Sequence, residues 1–331
     1  MRPVETDLNP ARDEYFARTI PARLPHSVRR TTSIEMAWPE GFDAQMVLVG
    51  QGRDLLTLGS DTEPRVLAHD RLDMVVDPAR TVLDISADPP LAGIEALRGG
   101  SAVGGFRRAI APLVDNPTTR DRPLAVLLDD VVGSIVMSGW LASKWIPPID
   151  HQVDRTSQEN VCSGYATGSK ALYDRSEIDA VRPVGPIEPD DDPQAFHPLQ
   201  PDADRTIRRV RRIDIWRDGA DLRLDAMFQD SGIVPGTRRA VLHEYRLLAR
   251  AEQRDGGLVL AEIAAIPGSL PYSECLGPEL SAQRLVGTPM AELRRKVLTE
   301  LRGPIGCTHL NDALRSLAEA DGLAGNLQQF A

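Results

Sequence analysis

The chain reads as one pattern written twice, and that constrains its fold more than any other feature. Residues 30–41 run RTTSIEMAWPEG and residues 209–219 run RVRRIDIWRDG, each an alternating apolar run that ends in Trp and a turn. Trp38 and Trp216 stand 178 positions apart, as do Asp43 and Asp221, and residues 82–89 (VLDISADP) align with 260–267 (LAEIAAIP) at the same spacing. His69-Asp70 is echoed by His243-Glu244, Phe106-Arg107-Arg108 by Leu293-Arg294-Arg295, and Leu128-Asp129-Asp130 by Leu310-Asn311-Asp312. A repeat of this size implies two similar subdomains, with a ligand site expected where they meet.

Each copy carries the same order of elements. Residues 32–38, 44–58, 65–77 and 81–87 are short β-branched or alternating segments parted by Gly, Pro and Asp, which predicts strands. Residues 90–98, 102–114 and 124–144 then show helical spacing. In the second copy the strands are expected at 206–216, 221–229, 240–251 and 258–266, with Asp218-Gly219 and Asp255-Gly256 supplying hairpin turns. Helices follow at 289–301 and 308–320, with Thr308 as an N-cap and Gly322 as a stop. The expected fold is α+β, a tandem duplication of a four-stranded antiparallel β-meander followed by helices and related by a pseudo-two-fold. Residues 1–28 read as an N-terminal arm, 29–145 as the first copy, 146–204 as an irregular linker, 205–322 as the second copy and 323–331 as a C-terminal tail.

Charge narrows the partners. A net charge of −10 argues against non-specific nucleic-acid binding and against anionic membranes. The N-terminus lacks a basic segment followed by an apolar run. The longest apolar stretch, 124–142, is broken by Asp129 and Asp130 and reads as a buried helix. Three Cys with no CxxC pair fit reduced thiols and a cytoplasmic location. A small-molecule partner is expected, and a homodimer is compatible with the pattern.

The repeat also acts as a filter, because features present in both copies read as scaffold. On that ground Asp130, Asp312, His69 and His243 are expected to be structural. Features of one copy or of the linker are the site candidates. Lys144, after the long helix, is a candidate cation or lowered-pKa base, against a plain helix C-terminal charge. Trp145 and His151 follow it. Cys162, Tyr165 and Tyr173 lie in a stretch (158–173, QENVCSGYATGSKALY) denser in chemistry than a spacer needs. Tyr272 and Glu274 sit on a Pro-fixed loop (PYSEC), and His309 opens the last helix three residues before Asp312. A His beside a carboxylate can serve as a general base, whereas the structural alternative is a packed or capping His. No metal ligand set is evident: Cys307-x-His309 is the one cluster, and zinc sites show two close ligand pairs. There is no phosphate-binding Gly loop and no GxSxG elbow.

Residues 211–216 (RRIDIW), 225–228 (DAMF), 243–245 (HEY), 285–289 (LVGTP) and above all 307–312 (CTHLND) resemble a bacterial domain-of-unknown-function family, DUF 2889. The resemblance runs from about residue 29 to about residue 320. Some members resemble γ-formaldehyde lyases of lignin-dimer catabolism. The resemblance thus implies an aldehyde-lyase type of enzyme. It would release the γ-hydroxymethyl group of a phenylcoumaran-type aromatic as formaldehyde and leave a stilbene, without a cofactor. In that reading Lys144, Tyr165 and His309 are the catalytic candidates. Trp145, His151, Cys162, Tyr173, Tyr272 and Glu274 would line the substrate. Two other classes fit the sequence: a hydrolase or thioesterase-like enzyme using Cys307 and His309, and a non-catalytic binder of small aromatics.

Overall fold

Alternating apolar side chains build eight long strands, and all eight join one sheet. The computed structural model describes residues 19–59, 62–146, 153–179, 188–189, 192–236 and 239–328. A short strand β1 (Thr19–Ile20) pairs in parallel with β6 (Glu188–Pro189). The long strands are β2 (Ser27–Ala37), β3 (Met46–Thr57), β4 (Arg65–Val76), β5 (Val82–Asp88), β7 (Thr206–Asp218), β8 (Asp221–Gly232), β9 (Ala240–Arg254) and β10 (Gly257–Pro267). Every neighbouring pair is antiparallel, in the order β10-β9-β8-β7-β2-β3-β4-β5. Two four-stranded meanders therefore meet edge to edge through their first strands, which removes one open edge from each.

That seam runs from Ser27↔Trp216 to Ala37↔Thr206, with Thr32↔Arg211 at its middle. β2 and β7 are buried along almost their whole length although both are rich in arginine. A buried guanidinium is tolerated only when paired. On one face Arg29 forks onto Asp214 at 2.5 and 2.8 Å, and His197 bridges Thr31 and Ser33 at 2.8 Å each. The stretch around Ala195–Gln200 covers this face, where Arg29 also donates to the Ala195 carbonyl. On the other face lie the helices α1 (Phe106–Val114), α2 (Pro123–Val136), α3 (Ser138–Trp145), α5 (Met290–Glu300), α6 (Thr308–Ser316) and α7 (Ala320–Gln328), with the one-turn α4 (Ser176–Asp179) in the linker. Among the described residues the apolar core falls into three clusters, two large ones mainly under the two meanders and a small one of Ile20, Ala195, Phe196 and Val210.

The α+β class and the eight strands match the expectation. Four local readings are corrected. Residues 90–98 form only a 3-10 turn, Ile94–Leu97. The long helix breaks at Met137, where the N–H bonds to Ser134 in a tighter 3-10 step. Thr308 is the first helical residue, and Cys307 takes the N-cap position without a side-chain cap bond. The helical path continues through Gly322 to Gln328. Glycine stands there because a Cβ would lie 2.6 Å from the Asp121 carboxylate. The apolar segment Pro123–Trp145 is long enough to cross a membrane, but 83% of its most apolar window is buried inside the fold.

The spacing of the two meanders also differs from the sequence alignment. Thr32 and Arg211, at the middle of the seam, are 179 positions apart, not 178. One residue of slip exchanges the two faces of a strand. Trp38 is accordingly a core residue, 3% exposed, whereas Trp216 is only half-buried.

Candidate functional site

The site grows from a buried cross-strand ion pair. Arg209 of β7 faces Asp230 of β8 and forks onto its carboxylate at 2.8 and 2.9 Å. The third guanidinium nitrogen reaches Asp312 of α6 at 3.0 Å. Gly133 of α2 makes room for this contact, since a Cβ there would sit 2.0 Å from Arg209 Nη1. Around the pair Arg211 forks onto Asp130, and Arg315, Arg294 and Arg107 hold Asp129. Arg315 and Arg107 also reach Asp312. The shared Leu-x-Asp motif is thus scaffold in this sense: it neutralises strand arginines.

Two imidazoles lie against the Asp230 carboxylate. The β8–β9 register shifts just past Asp230↔His243, and both Leu242 and His243 line the cavity described below. Bulges of this kind re-aim side chains beside functional sites. His243 Nδ1 is 3.6 Å from Asp230 Oδ2, and His309 Nε2 is 3.8 Å from the same oxygen. The two rings stack with centroids 3.4 Å apart and planes 16° from parallel. His309 Nδ1 lies 3.3 Å from the Thr308 hydroxyl. Burial pushes the pKa of both histidines below the ordinary value, most strongly at His309, where His243 adds to the effect. Burial alone would raise the Asp230 carboxyl, but Arg209 and His243 hold it well below the usual range. The resting cluster is therefore two neutral imidazoles on an ionised carboxylate. A proton arriving at either ring would find that carboxylate beside it.

The pair opens into a cavity of about 610 Å³ between the linker, the loop after β10 and helices α2, α3 and α6. Its apolar walls include Val132, Met137, Trp140, Ile178, Leu242 and Pro271. On the linker side Tyr165 and Tyr272 stand with ring centroids 6.1 Å apart, and Arg155 donates to the Tyr272 hydroxyl. The three thiols of Cys162, Cys275 and Cys307 also line the cavity. Burial raises all three, Cys307 to about 11, so they remain thiols. A volume of this size suits a small molecule of one or two rings.

Of the residues named from sequence, Tyr165, Cys162, Tyr272 and His309 share this cavity. Lys144 does not line it; its ammonium donates to the Ile178 carbonyl at 2.9 Å. Trp145 bonds the Ile233 carbonyl through Nε1 and packs near Arg205. Tyr173 is half exposed outside it, and Glu274 accepts the Lys170 backbone N–H. His151 lies outside the described residues. His243, read as scaffold from the sequence, lines this cavity and stacks on His309. His69 had been its supposed counterpart, but the residue facing Asp54 across β3–β4 is Ala68, and His69 faces Arg53 with its side chain exposed. The His69–His243 match, 174 positions apart, is itself one residue off the structural counterpart Ala68, at 175. Asp230 and Arg155 were not singled out at all; a His inside a buried strand (VLHEY) was the available signal for the first.

Asp230, His243 and His309 also offer three ligand atoms within 4.8 Å of one another. The sequence reading named no such set. Arg209 already occupies both oxygens of Asp230, and the surrounding arginines do not leave an excess of negative charge for a further cation. The arrangement suits proton transfer better than cation binding.

Residues 207–321 match the family model described as "Protein of unknown function (DUF2889)". The match begins in β7, ends in α7 and contains the CTHLND motif and both histidines. No curated protein matches the chain. Among solved structures, "Crystal structure of lipopolysaccharide binding protein" aligns over 72% of this chain and 66% of that one at 10% identity. Its TM-score is 0.12, too low to carry a likeness of fold.

Proposed function

We propose that the protein is a cofactor-independent carbon–carbon lyase that releases formaldehyde from the γ-hydroxymethyl group of a phenylcoumaran-type aromatic. The observation that carries this reading is the neutral His243–His309 stack on Asp230, facing an apolar, aromatic-walled cavity. The reaction needs a base for the γ-hydroxyl proton and a sink for the electrons of the breaking bond. A para-phenol can be that sink. Its ionisation opens the furan ring to a quinone methide and frees the aryl oxide, which takes a proton. His309 then accepts the γ-hydroxyl proton, the O–H electrons become the carbonyl of formaldehyde, and the Cβ–Cγ pair restores the phenolate and forms the stilbene double bond. The phenol supplies the sink, so the reaction as written calls on no cofactor.

The rivals fit less well. A Cys307 nucleophile would have to ionise from a thiol pushed up to about 11 by burial. A pure binder gives no reason to hold two neutral imidazoles on one carboxylate oxygen. We place the protein in the cytoplasm, where its three buried thiols stay reduced. Incubating the purified chain with several phenylcoumarans and measuring formaldehyde and stilbene absorbance tests the proposal. Formation of both supports it, and absence of both across the series overturns it.

A further inference from the structure

We propose that Arg155, Tyr272 and Tyr165 form a phenolate-binding subsite, which takes a para-hydroxyaryl ring with its hydroxyl ionised. The inference rests on reading the cavity as an aromatic-substrate site, and it assigns the wall on the linker side.

Arg155 precedes a 3-10 turn of the linker, Thr156–Gln158. Its Nη1 donates to the Ala171 carbonyl at 3.2 Å and to the Tyr272 hydroxyl oxygen. Its guanidinium carbon stands 5.9 Å from the Tyr165 ring centroid and 6.0 Å from that of Tyr272. A guanidinium cannot accept, so Tyr272 must accept from it, and the Tyr272 proton is left to be donated. The Tyr165 ring stands beside it on the same wall, its centroid 6.1 Å from that of Tyr272. Arg155, Tyr272 and Tyr165 thus bring a guanidinium and two phenol donors together at the cavity wall. Burial raises both phenols, so these hydroxyls remain protonated and able to donate.

Arg155 has no carboxylate partner among the described residues, unlike the arginines of the strand cluster. A cation without a carboxylate partner, set beside two phenol donors in a partly desolvated cavity, favours an anion within its reach. The apolar walls demand that the anion be carried on a ring. A phenolate meets both conditions, and its proton leaves to solvent.

The test uses 4-hydroxystilbene, which has no γ-hydroxymethyl group and cannot release formaldehyde. Its absorption moves to longer wavelength on ionisation. The expected result is binding to the full chain at pH 7 with the phenolate band, and binding of the methyl ether weaker by about tenfold or more. Arg155→Met and Tyr165→Phe should lose the shifted band, whereas Arg155→Lys should retain part of it. Near-ultraviolet circular dichroism shows whether each variant keeps its fold. A neutral-phenol spectrum in the wild type, no binding, or a shifted band that survives Arg155→Met each overturns the subsite. A shifted band without formaldehyde release from phenylcoumarans would instead overturn the lyase reading and leave the subsite standing.

Discussion

The two meanders each carry a forked Arg–Asp pair at the same place, and they finish it differently. Arg30 stands two residues before Thr32 and Arg209 two before Arg211, the central pair of the seam. Arg30 forks onto Asp54 at 2.7 and 2.6 Å, as Arg209 does onto Asp230. In the first half Glu319, between α6 and α7, closes the pair at 2.8 Å, and the residue facing Asp54 is Ala68. In the second half the facing residue is His243, with His309 stacked on it and a cavity beyond. A shared ion pair supplies the frame, and the group set beside it decides whether the place is sealed or opens on a cavity.

The comparison breaks most readily on activity. Under the proposed reaction His309→Gln should lower formaldehyde release by about 10²- to 10⁴-fold, the range for removing a general base, and Glu319→Gln should leave it unchanged. Equal losses in steady-state assays would mean that both pairs are merely structural. Next, Arg209→Met strands Asp230 and Arg30→Met strands Asp54. Each should cost about 3–5 kcal/mol in urea unfolding, because a buried carboxylate loses its partner.

The two halves should also respond to pH with opposite sign. His243 and His309 have folded values below 6.5, so below that pH the unfolded chain takes up protons that the folded one refuses. Their contribution to stability is complete above pH 6.5 and is lost as pH falls. Burial raises Glu319 from 4.5 to about 7, Arg30 opposing, so its contribution is complete below 4.5 and is lost as pH rises through 7. Each slope is bounded by about 1.4 kcal/mol per pH unit per group. Unfolding midpoints between pH 5 and 8 should lose the acid-side slope in the double His→Gln variant and the opposite slope in Glu319→Gln. Neutral His309 also predicts activity that is level from pH 8 to below 6.5. The smallest effect serves as a control: Arg71→Ala removes a half-exposed pair with Asp73 and should change stability by no more than about 0.5 kcal/mol.

The strands were legible because alternation and Asp-Gly turns are local signals, and all eight long strands overlap the segments read from sequence. What was lost is positional. The Trp38 and Trp216 alignment is one residue out of step with the seam, and in a strand that error changes face. The separate match of His243 with the exposed His69 is also one residue off its structural counterpart, Ala68, and it read as scaffold a residue that lines the cavity. Tyr165, Cys162, Tyr272 and His309, singled out because they lie outside the repeat or in one half only, share the cavity. Arg155 and Asp230 stayed hidden because their meaning depends on partners 117 and 21 positions away, Tyr272 and Arg209. Nothing in a local pattern distinguishes a paired arginine from one that faces a cavity.

The seam has a consequence for how the chain acquires activity. Each meander can zip from hairpins close in sequence, but β2 and β7 must find each other across more than half of the chain. The cavity draws its walls from α2, the linker and α6, and Arg209 reaches from the seam strand to Asp312, which lines it. The histidine stack and Tyr272 belong to the second half, Tyr165 to the linker and the α2–α3 wall to the first half, so neither half alone forms the cavity. Catalysis would thus be the last property to appear during synthesis, and a ribosome-bound or truncated first half would be a folded platform without chemistry.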